Sequence, residues 1–376
     1  EAGYYAAPGP VVGMQVLSEA AGDRLVVTAE GDAGVAVYRL SRAVPMPTTT
    51  ALEPLPTPRS TAGATSAPPR PGAARVFLPY AARNAVASLR HAPLRPTLAM
   101  AGPSFGLAIG DGVVYHGHGG AITVIEPGPG TPQEIDRTEA LPGMVFDLTV
   151  DGDRLYAAAS EVGLAVYSVA DPRRPVLLGI AVTGDAARGV AVSGTTAFVA
   201  AGDAGLVAFD VADPSAPRPL GATPIERGAM RVWLHRGHAY VASGEETPIQ
   251  ILDIADPSQP RPVGRIDPRI GSEYALAFHR DLAYVSSCGS CVGVYDIADP
   301  SAPVPVADLA GQQFGADLVV EGGLLIAAGS ALRVFDLTDP LAPVLANEVP
   351  LWRGQRVAVR DGLVATAGDE GSFNAV

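Results

Sequence analysis

The chain has 376 residues, nearly half of them apolar, with 43 Gly, 35 Pro and a formal net charge of −13. That balance excludes wholesale disorder and opposes any partner built on a phosphate backbone, and no apolar run approaches the eighteen or so residues of a transmembrane helix. All 26 cationic residues are arginine, which excludes lysine Schiff bases and lysine general bases.

Taken from the N-terminus, the chain opens on Glu1 and shows no signal peptide, as in a processed protein whose leader has been removed. The first strand-like text with a turn at each end is "GVAVYRL", a strand near 35–40. An insertion, Ser41 to Leu94, follows it. Pro45 to Gly72 is too rich in Pro, Thr, Ser and Ala to bury a core. Its Thr48, Thr49, Thr50, Thr57 and Thr61 are candidate O-glycosylation acceptors, the alternative being a plain flexible linker. Within the insertion "ARVFLPYAAR", Ala74 to Arg83, alternates like a strand and carries bulky residues that need a surface to dock on, either on the same chain or on another subunit.

Beyond the insertion the text becomes periodic. Asp-Pro pairs begin at Asp171, Asp213, Asp256, Asp299 and Asp339, at intervals of 40–43 residues. A period near 42 is the length of one propeller blade. Residues 188–223 show the grammar of each unit: "RGVAV" is a first strand, "TTAFVAA" a second, "LVAFDV" a third and "RPLGAT" a fourth. The turns between them hold Ser-Gly or Asp-Gly, then "GDAG", then "ADPSAP", which suit a meander of short hairpins. Asp213 and its equivalents Asp171, Asp256, Asp299 and Asp339 are expected to be structural turn residues that accept backbone N–H bonds, with the following proline presetting φ. Calcium binding by these aspartates is the sharper alternative, opposed by the lack of any denser acidic cluster. The third strands are apolar on both faces, as in a sheet sandwiched between two neighbours.

Third strands are expected near 35–40, 121–126, 163–169, 205–211, 249–254, 292–297 and 331–337, and an eighth unit starts at 356–368. The expectation is therefore one all-β domain over 1–376, an eight-bladed β-propeller of four-stranded antiparallel blades. Pairing of N- and C-terminal strands, with Gly3–Gly9 as the missing strand of the last unit, would close it. Seven blades is the alternative.

Few residues suggest chemistry. Cys288 and Cys291, with two residues between them, stand in a hairpin turn, away from any helix N-terminus, and are expected to form a small disulfide across that turn, which fits an extracytoplasmic location. His116 and His118 share a strand face, and His235 and His238 flank a turn, but neither pair has a third ligand in view. No metal or other cofactor is expected. Arg188, Arg231 and Arg356 fall at the starts of first strands, which rim the channel of a propeller. With Tyr274 they form a speculative ligand-binding rim for an anion or an acidic sugar. No catalytic constellation is visible, and no G-x-S-x-G elbow is present.

The text of residues 190–221, "VAVSGTTAFVAAGDAGLVAFDVADPSAPRPLG", resembles the LVIVD-repeat family of bacterial and archaeal surface or secreted proteins. The "RVFLPYAAR" text is similar to a segment found beside Thr/Pro-rich linkers in secreted proteins of Chloroflexi-type bacteria. The resemblance implies a β-propeller and an extracellular or cell-surface location, and supplies no catalytic residues. The functional expectation is a non-enzymatic structural or interaction protein, with protein partners or self-association, as in an extracellular assembly or filament. The alternative is a carbohydrate-binding or hydrolytic propeller that uses the channel mouth, with glycans as ligands.

Overall fold

The computed structural model describes residues 13–18, 24–30, 34–40, 104–126, 133–244, 247–267, 274–287, 291–309, 317–329, 331–350, 356–360 and 363–367. The described elements are all strands. Six four-stranded antiparallel meanders stand around a common channel. Blade 1 comprises β4 (Ser104–Ile109), β5 (Val114–His118), β6 (Ala121–Glu126) and β7 (Gln133–Arg137). Blade 2 comprises β8 (Asp147–Asp151), β9 (Arg154–Ala158), β10 (Leu164–Ser168) and β11 (Val176–Ala181). Blade 3 holds β12 (Gly189–Ser193) to β15 (Arg218–Thr223), and blade 4 holds β16 (Arg231–His235) to β19 (Arg261–Ile266). Blade 5 holds β20 (Tyr274–His279) to β23 (Val304–Asp308), and blade 6 holds β24 (Asp317–Glu321) to β27 (Val344–Pro350).

The expected count of eight blades is corrected. Six periods are complete and make the six blades, but the first and last do not make two more. Their strands β1 (Gly13–Ser18), β2 (Arg24–Glu30), β3 (Gly34–Leu40), β28 (Arg356–Arg360) and β29 (Leu363–Ala367) merge into one sheet. That sheet lies between blade 6 and blade 1, with β28 beside both β24 and β4. It has five strands and is mixed, since β2 runs parallel to β29 through Val27 opposite Ala365 and Thr28 opposite Thr366. It is therefore not a seventh four-stranded antiparallel blade. Periodic text counts units; it does not say that two incomplete units share one sheet. Gly3–Gly9, expected to complete the last unit, lies outside the described residues, as does the whole insertion 41–94.

The repeated thirteen residues hold blades to one another. The first aspartate of each group closes a turn on itself: Asp210 accepts from the Ala212 amide at 2.9 Å, and Asp253 and Asp296 do the same for Ala255 and Ala298. The second closes the next one, as Asp213 accepts from the Ser215 amide at 3.0 Å and from its hydroxyl at 2.6 Å. The rigid Asp-Pro turn then presses on the preceding blade. Tyr115 of β5 donates its hydroxyl to the Pro172 carbonyl at 2.8 Å, and Tyr284 in β21 (Leu282–Ser287) donates to that of Pro340 at 2.7 Å. On the outer strands the same role falls to glycine. A Cβ on Gly179 of β11 would stand 2.5 Å from the Pro214 carbonyl oxygen and 2.8 Å from that of Ser215. Only a residue without a side chain admits that approach.

The cores accordingly lie between blades. One apolar cluster joins Tyr156, Leu164 and Val166 of blade 2 to Val190, Val199 and Phe209 of blade 3, and equivalent clusters join blades 1 and 2, 3 and 4, 4 and 5, and 5 and 6. The third strands β10 and β14 (Leu206–Asp210) are buried on both faces up to their last residue. A single 42-residue meander cannot offset backbone ordering of roughly 1–2 kcal/mol per residue; its neighbours supply the missing contacts.

Candidate functional site

The first strand of each blade stands beside the channel, and β28 takes the place between β24 and β4. Together they enclose a cavity of about 610 Å³. Most of its wall is Val, Leu and Ala because the strands alternate and their other faces pack between sheets. Charge enters the lumen mainly at the first residue of a strand, where a side chain reaches the mouth.

Asp317, first in β24, is almost fully buried and takes two bonds. The Arg231 guanidinium donates Nη2 to its Oδ1 at 2.7 Å from across the channel, and the Val357 amide of β28 donates to its Oδ2 at 2.9 Å. Asp147, first in β8, repeats the arrangement. The Val190 amide of blade 3 donates to its Oδ2 at 3.0 Å, and Arg356 Nη1 stands 3.8 Å from its Oδ1. Each carboxylate thus caps the next first strand and neutralises an arginine that lies more than one blade away. Arg231 also lies over the Trp233 ring, 4.7 Å from its centroid. Arg356 donates Nη2 to the Phe146 carbonyl at 3.4 Å, and Arg360 donates to that of Ile109 at 3.1 Å.

Arg188 differs from the other two expected rim arginines. Its guanidinium lies 5.3 Å from the centroid of Phe146, which packs at 5.4 Å on Phe105. Glu161 and Asp185 stand near enough to feel its charge. Asp185 is held below the usual aspartate range by the Ala186 and Asp203 amides, which donate to it at 2.7 Å each, and Arg188 adds to this. Tyr274 begins β20, but its side chain lies outside the described residues; of the other three, Arg231 and Arg356 line the channel and Arg188 does not. Cys291 begins β22 (Cys291–Asp296), while Cys288 and the side chain of Cys291 are outside them too, as are Thr48, Thr49, Thr50, Thr57 and Thr61.

The turn aspartates all face amides. Asp171, Asp256, Asp299 and Asp339 accept from the amides of Arg173, Ser258, Ser301 and Leu341 at 2.9–3.1 Å, as Asp213 does from Ser215. The Ser215 hydroxyl, then its amide, holds Asp213 below the usual aspartate range. Among the described residues no three His, Cys, Asp or Glu side chains gather as a metal-binding set. His116 is buried, and burial, reinforced by His118 and then Arg137, pushes its pKa down to about 3. The His235 ring stacks on Phe278 at 4.4 Å with Nε2 2.9 Å from the Arg280 carbonyl, and His238 Nδ1 lies 3.0 Å from that of Arg236.

The two aspartates that define the mouth, Asp147 and Asp317, escape a reading that looks for arginines alone. Alignment of the repeats on their first strands would have shown them, since "DLTV" and "DLVV" stand in the same column as "RVWL" and "RVAV".

Comparison with known proteins agrees with this architecture. The model of the LVIVD repeat matches residues 184–221 and 226–267, which cover blade 3 and blade 4. No curated protein matches the chain. Among solved structures, a Lactobacillus plantarum protein aligns with a TM-score of 0.60 at 14% identity, over 72% of this chain and 91% of that one. The computationally designed Ika8 protein aligns at 0.51 and 12% identity, over 93% and 98%. Saccharomyces cerevisiae Sqt1 aligns at 0.50 and 8%, over 71% and 96%. These likenesses concern the fold alone. The chain thus carries two matched LVIVD repeats within a β-propeller fold.

Proposed function

We propose that this propeller is a non-enzymatic interaction scaffold, secreted or held at the cell surface, whose working surface is its outer rim. One observation carries the reading. The charges at the channel mouth are paired internally, Arg231 with Asp317 and Arg356 with Asp147, whereas large apolar side chains are left exposed on the outer strands. Val304 and Val306 on β23 are exposed, as are Val344 and Leu345 on β27 and Leu341 just before it. Clustered apolar exposure of this kind marks protein contact surfaces. The extracellular location is supported by the Pro/Thr/Ser-rich insertion and by the resemblance to surface propellers.

A second reading keeps a ligand at the channel mouth, because Arg188 lying on Phe146 beside Phe105 combines a cation with aromatic faces suited to an acidic sugar. Calorimetric titration of the purified chain with galacturonate and its oligomers separates the two. The scaffold reading expects no saturable heat. Binding that disappears in Arg188→Ala would replace it with the second. Microscopy of native envelope or secreted material, with antibody to the chain, tests the location.

A further inference from the structure

Among the described residues, the large apolar side chains exposed on the rim fall into two groups. On blade 2, Val176 is 58% exposed and Val182, just beyond β11, 76%, with Leu177 and Ile180 exposed between them. Leu220 on β15 borders this group. On blades 5 and 6 the second group comprises Val304, Val306, Leu341, Val344 and Leu345. The outer strands of blades 1 and 4, β7 and β19, contribute none. Each group makes a patch on the order of a few hundred Å², the size that marks a contact site rather than scattered exposure. β11 is bulged at Leu178, β23 at Val306 and β27 at Ala346. A bulge interrupts the hydrogen-bonding edge, so the rim offers a neighbour side chains rather than a continuous ladder.

The two groups stand on opposite sides of the ring. Blades 3 and 4 separate them in one direction, and the mixed sheet with blade 1 separates them in the other. Their charges also differ. The turn that leads into β11 carries Asp171 and two exposed arginines, Arg173, which pairs with Glu126 of blade 1, and Arg174. Residues 297–308 and 337–350 of blades 5 and 6 hold no arginine, and carry Asp299, Asp308, Asp339 and Glu348, all exposed. The two arginines, Asp299 and Asp339 lie in equivalent turns between third and fourth strands, hence at the same end of the ring.

We propose that the partner of the rim is a second copy of this chain, with blade 2 of one copy seated against blades 5 and 6 of the next. This rests on the reading of the rim as the working surface and names its occupant. Side by side with faces aligned, two copies bring apolar patch to apolar patch, and the turn with Arg173 and Arg174 to the turns with Asp299 and Asp339. Such charge complementarity fixes register and disfavours wrong pairings. Contact of blades 5 and 6 with themselves would set acid against acid, in a protein of net charge −13. The contact is heterologous, since it joins two different patches. Because the patches lie on opposite sides of the ring, each added copy leaves one patch open at its far end, and the product is an open row rather than a closed pair.

Light scattering and sedimentation velocity test this on the full chain at concentrations up to about 1 mM, where weak contacts populate. Two variants place acid at largely exposed valines, Val176→Asp/Val182→Asp on one patch and Val304→Asp/Val344→Asp on the other. Loss of two valines and burial of two carboxylates weakens such a contact at least ~100-fold. The expected result is a wild type whose mass grows past dimer with concentration, and variants that are each monomeric alone. Their equimolar mixture should stop at dimer, because intact blades 5 and 6 of the first meet intact blade 2 of the second. Arg174→Glu leaves both apolar patches whole and is expected to weaken the association about 10-fold; an unchanged mass distribution there overturns the proposal. A wild type that stays monomeric throughout also overturns it, as do single variants that each dimerise, which assigns each patch to its own copy. The rim reading itself stands or falls on the galacturonate titration, so the two failures are told apart.

Discussion

Gly179→Ala is the sharpest test of why the thirteen-residue text repeats. In an ordinary strand alanine gains roughly 0.5–1 kcal/mol over glycine. Here the new Cβ would lie 2.5 Å from the Pro214 oxygen, 2.8 Å from the Ser215 oxygen and 2.9 Å from Pro217 Cδ. An unstrained carbon–oxygen contact needs about 0.9 Å more than the nearest of these, at the usual ~3.4 Å or beyond. The obstacle is backbone in the next blade, and Asp213 holds that backbone with bonds to the Ser215 amide and hydroxyl. Overpacking of this kind costs about 1–3 kcal/mol. With a rigid wall the upper half of that range applies, and the net effect is a loss of about 2 kcal/mol. Unfolding entropy near 2.1 cal/mol/K per residue then sets the thermal response. A chain of 376 residues melting as one unit shifts by about 1.3 °C per kcal/mol, hence by roughly 2–3 °C. Differential scanning calorimetry reads this directly, with Gly189→Ala, whose Cβ would stand 3.1–3.3 Å from its nearest atoms, expected to lose less. A Gly179→Ala protein that melts at or above the wild-type temperature would refute the claim that the Asp-Pro turn seats against the preceding outer strand.

Arg231→Ala strands a nearly buried Asp317 carboxylate and is expected to cost about 3 kcal/mol, seen as a fall in Tm of about 4 °C by the conversion above; the pair Arg231→Met/Asp317→Leu should recover most of it. Asp213, Asp256 and Asp299 are held below the ordinary value of 3.8 by their serine hydroxyls and then the serine amides. Their stabilisation is therefore complete above that value and lost as pH falls through the lowered ones. Calorimetry in acid should show a shallower decline for the triple Asp→Asn variant than for wild type. Burial pushes Tyr167, Tyr240 and Tyr284 up to about 12, so ultraviolet titration should find these three un-ionised at pH 10 in the folded protein. Stability should then decline between 10 and 12, where unfolding releases their protons.

Much of this fold is visible in local text because each device acts within a few residues. Asp-Pro after a strand, a glycine-bearing turn after the next, and apolar residues on both faces of "LVAFDV" all mark short-range geometry. The observed third strands, such as Leu206–Asp210 and Ala331–Asp336, stand where the period puts them. The number of blades was not visible in the same way. Whether "RVAVR" completes a blade of its own or joins "RLVVTAE" depends on pairing between the two ends of the chain, and neither segment's composition records its partner. The mouth shows the same limit. Three arginines stand out at strand starts, yet Arg231 meets an aspartate 86 residues away. Only the closed ring turns that separation into 2.7 Å.

The repeat also separates what the molecule keeps from what it varies. Positions that touch the next blade change less: the Asp-Pro turn recurs in five blades and the apolar third strand in all six, while the outer-strand glycine at 179, 221 and 264 gives way to Ala307 and Asn347 in blades 5 and 6. The first residue of the inner strand changes freely, through Asp147, Gly189, Arg231, Tyr274, Asp317 and Arg356. The outer strand changes as freely, from the charged β7 to the bare β11. Interblade packing is a shared constraint because every blade must fit both neighbours, whereas lumen and rim face water or a partner and are constrained one blade at a time. Function in such a ring therefore resides where the units disagree. At the mouth, the disagreement is largely absorbed by two internal ion pairs. At the rim it stays open to solvent, in the exposed apolar side chains of β11, β23 and β27.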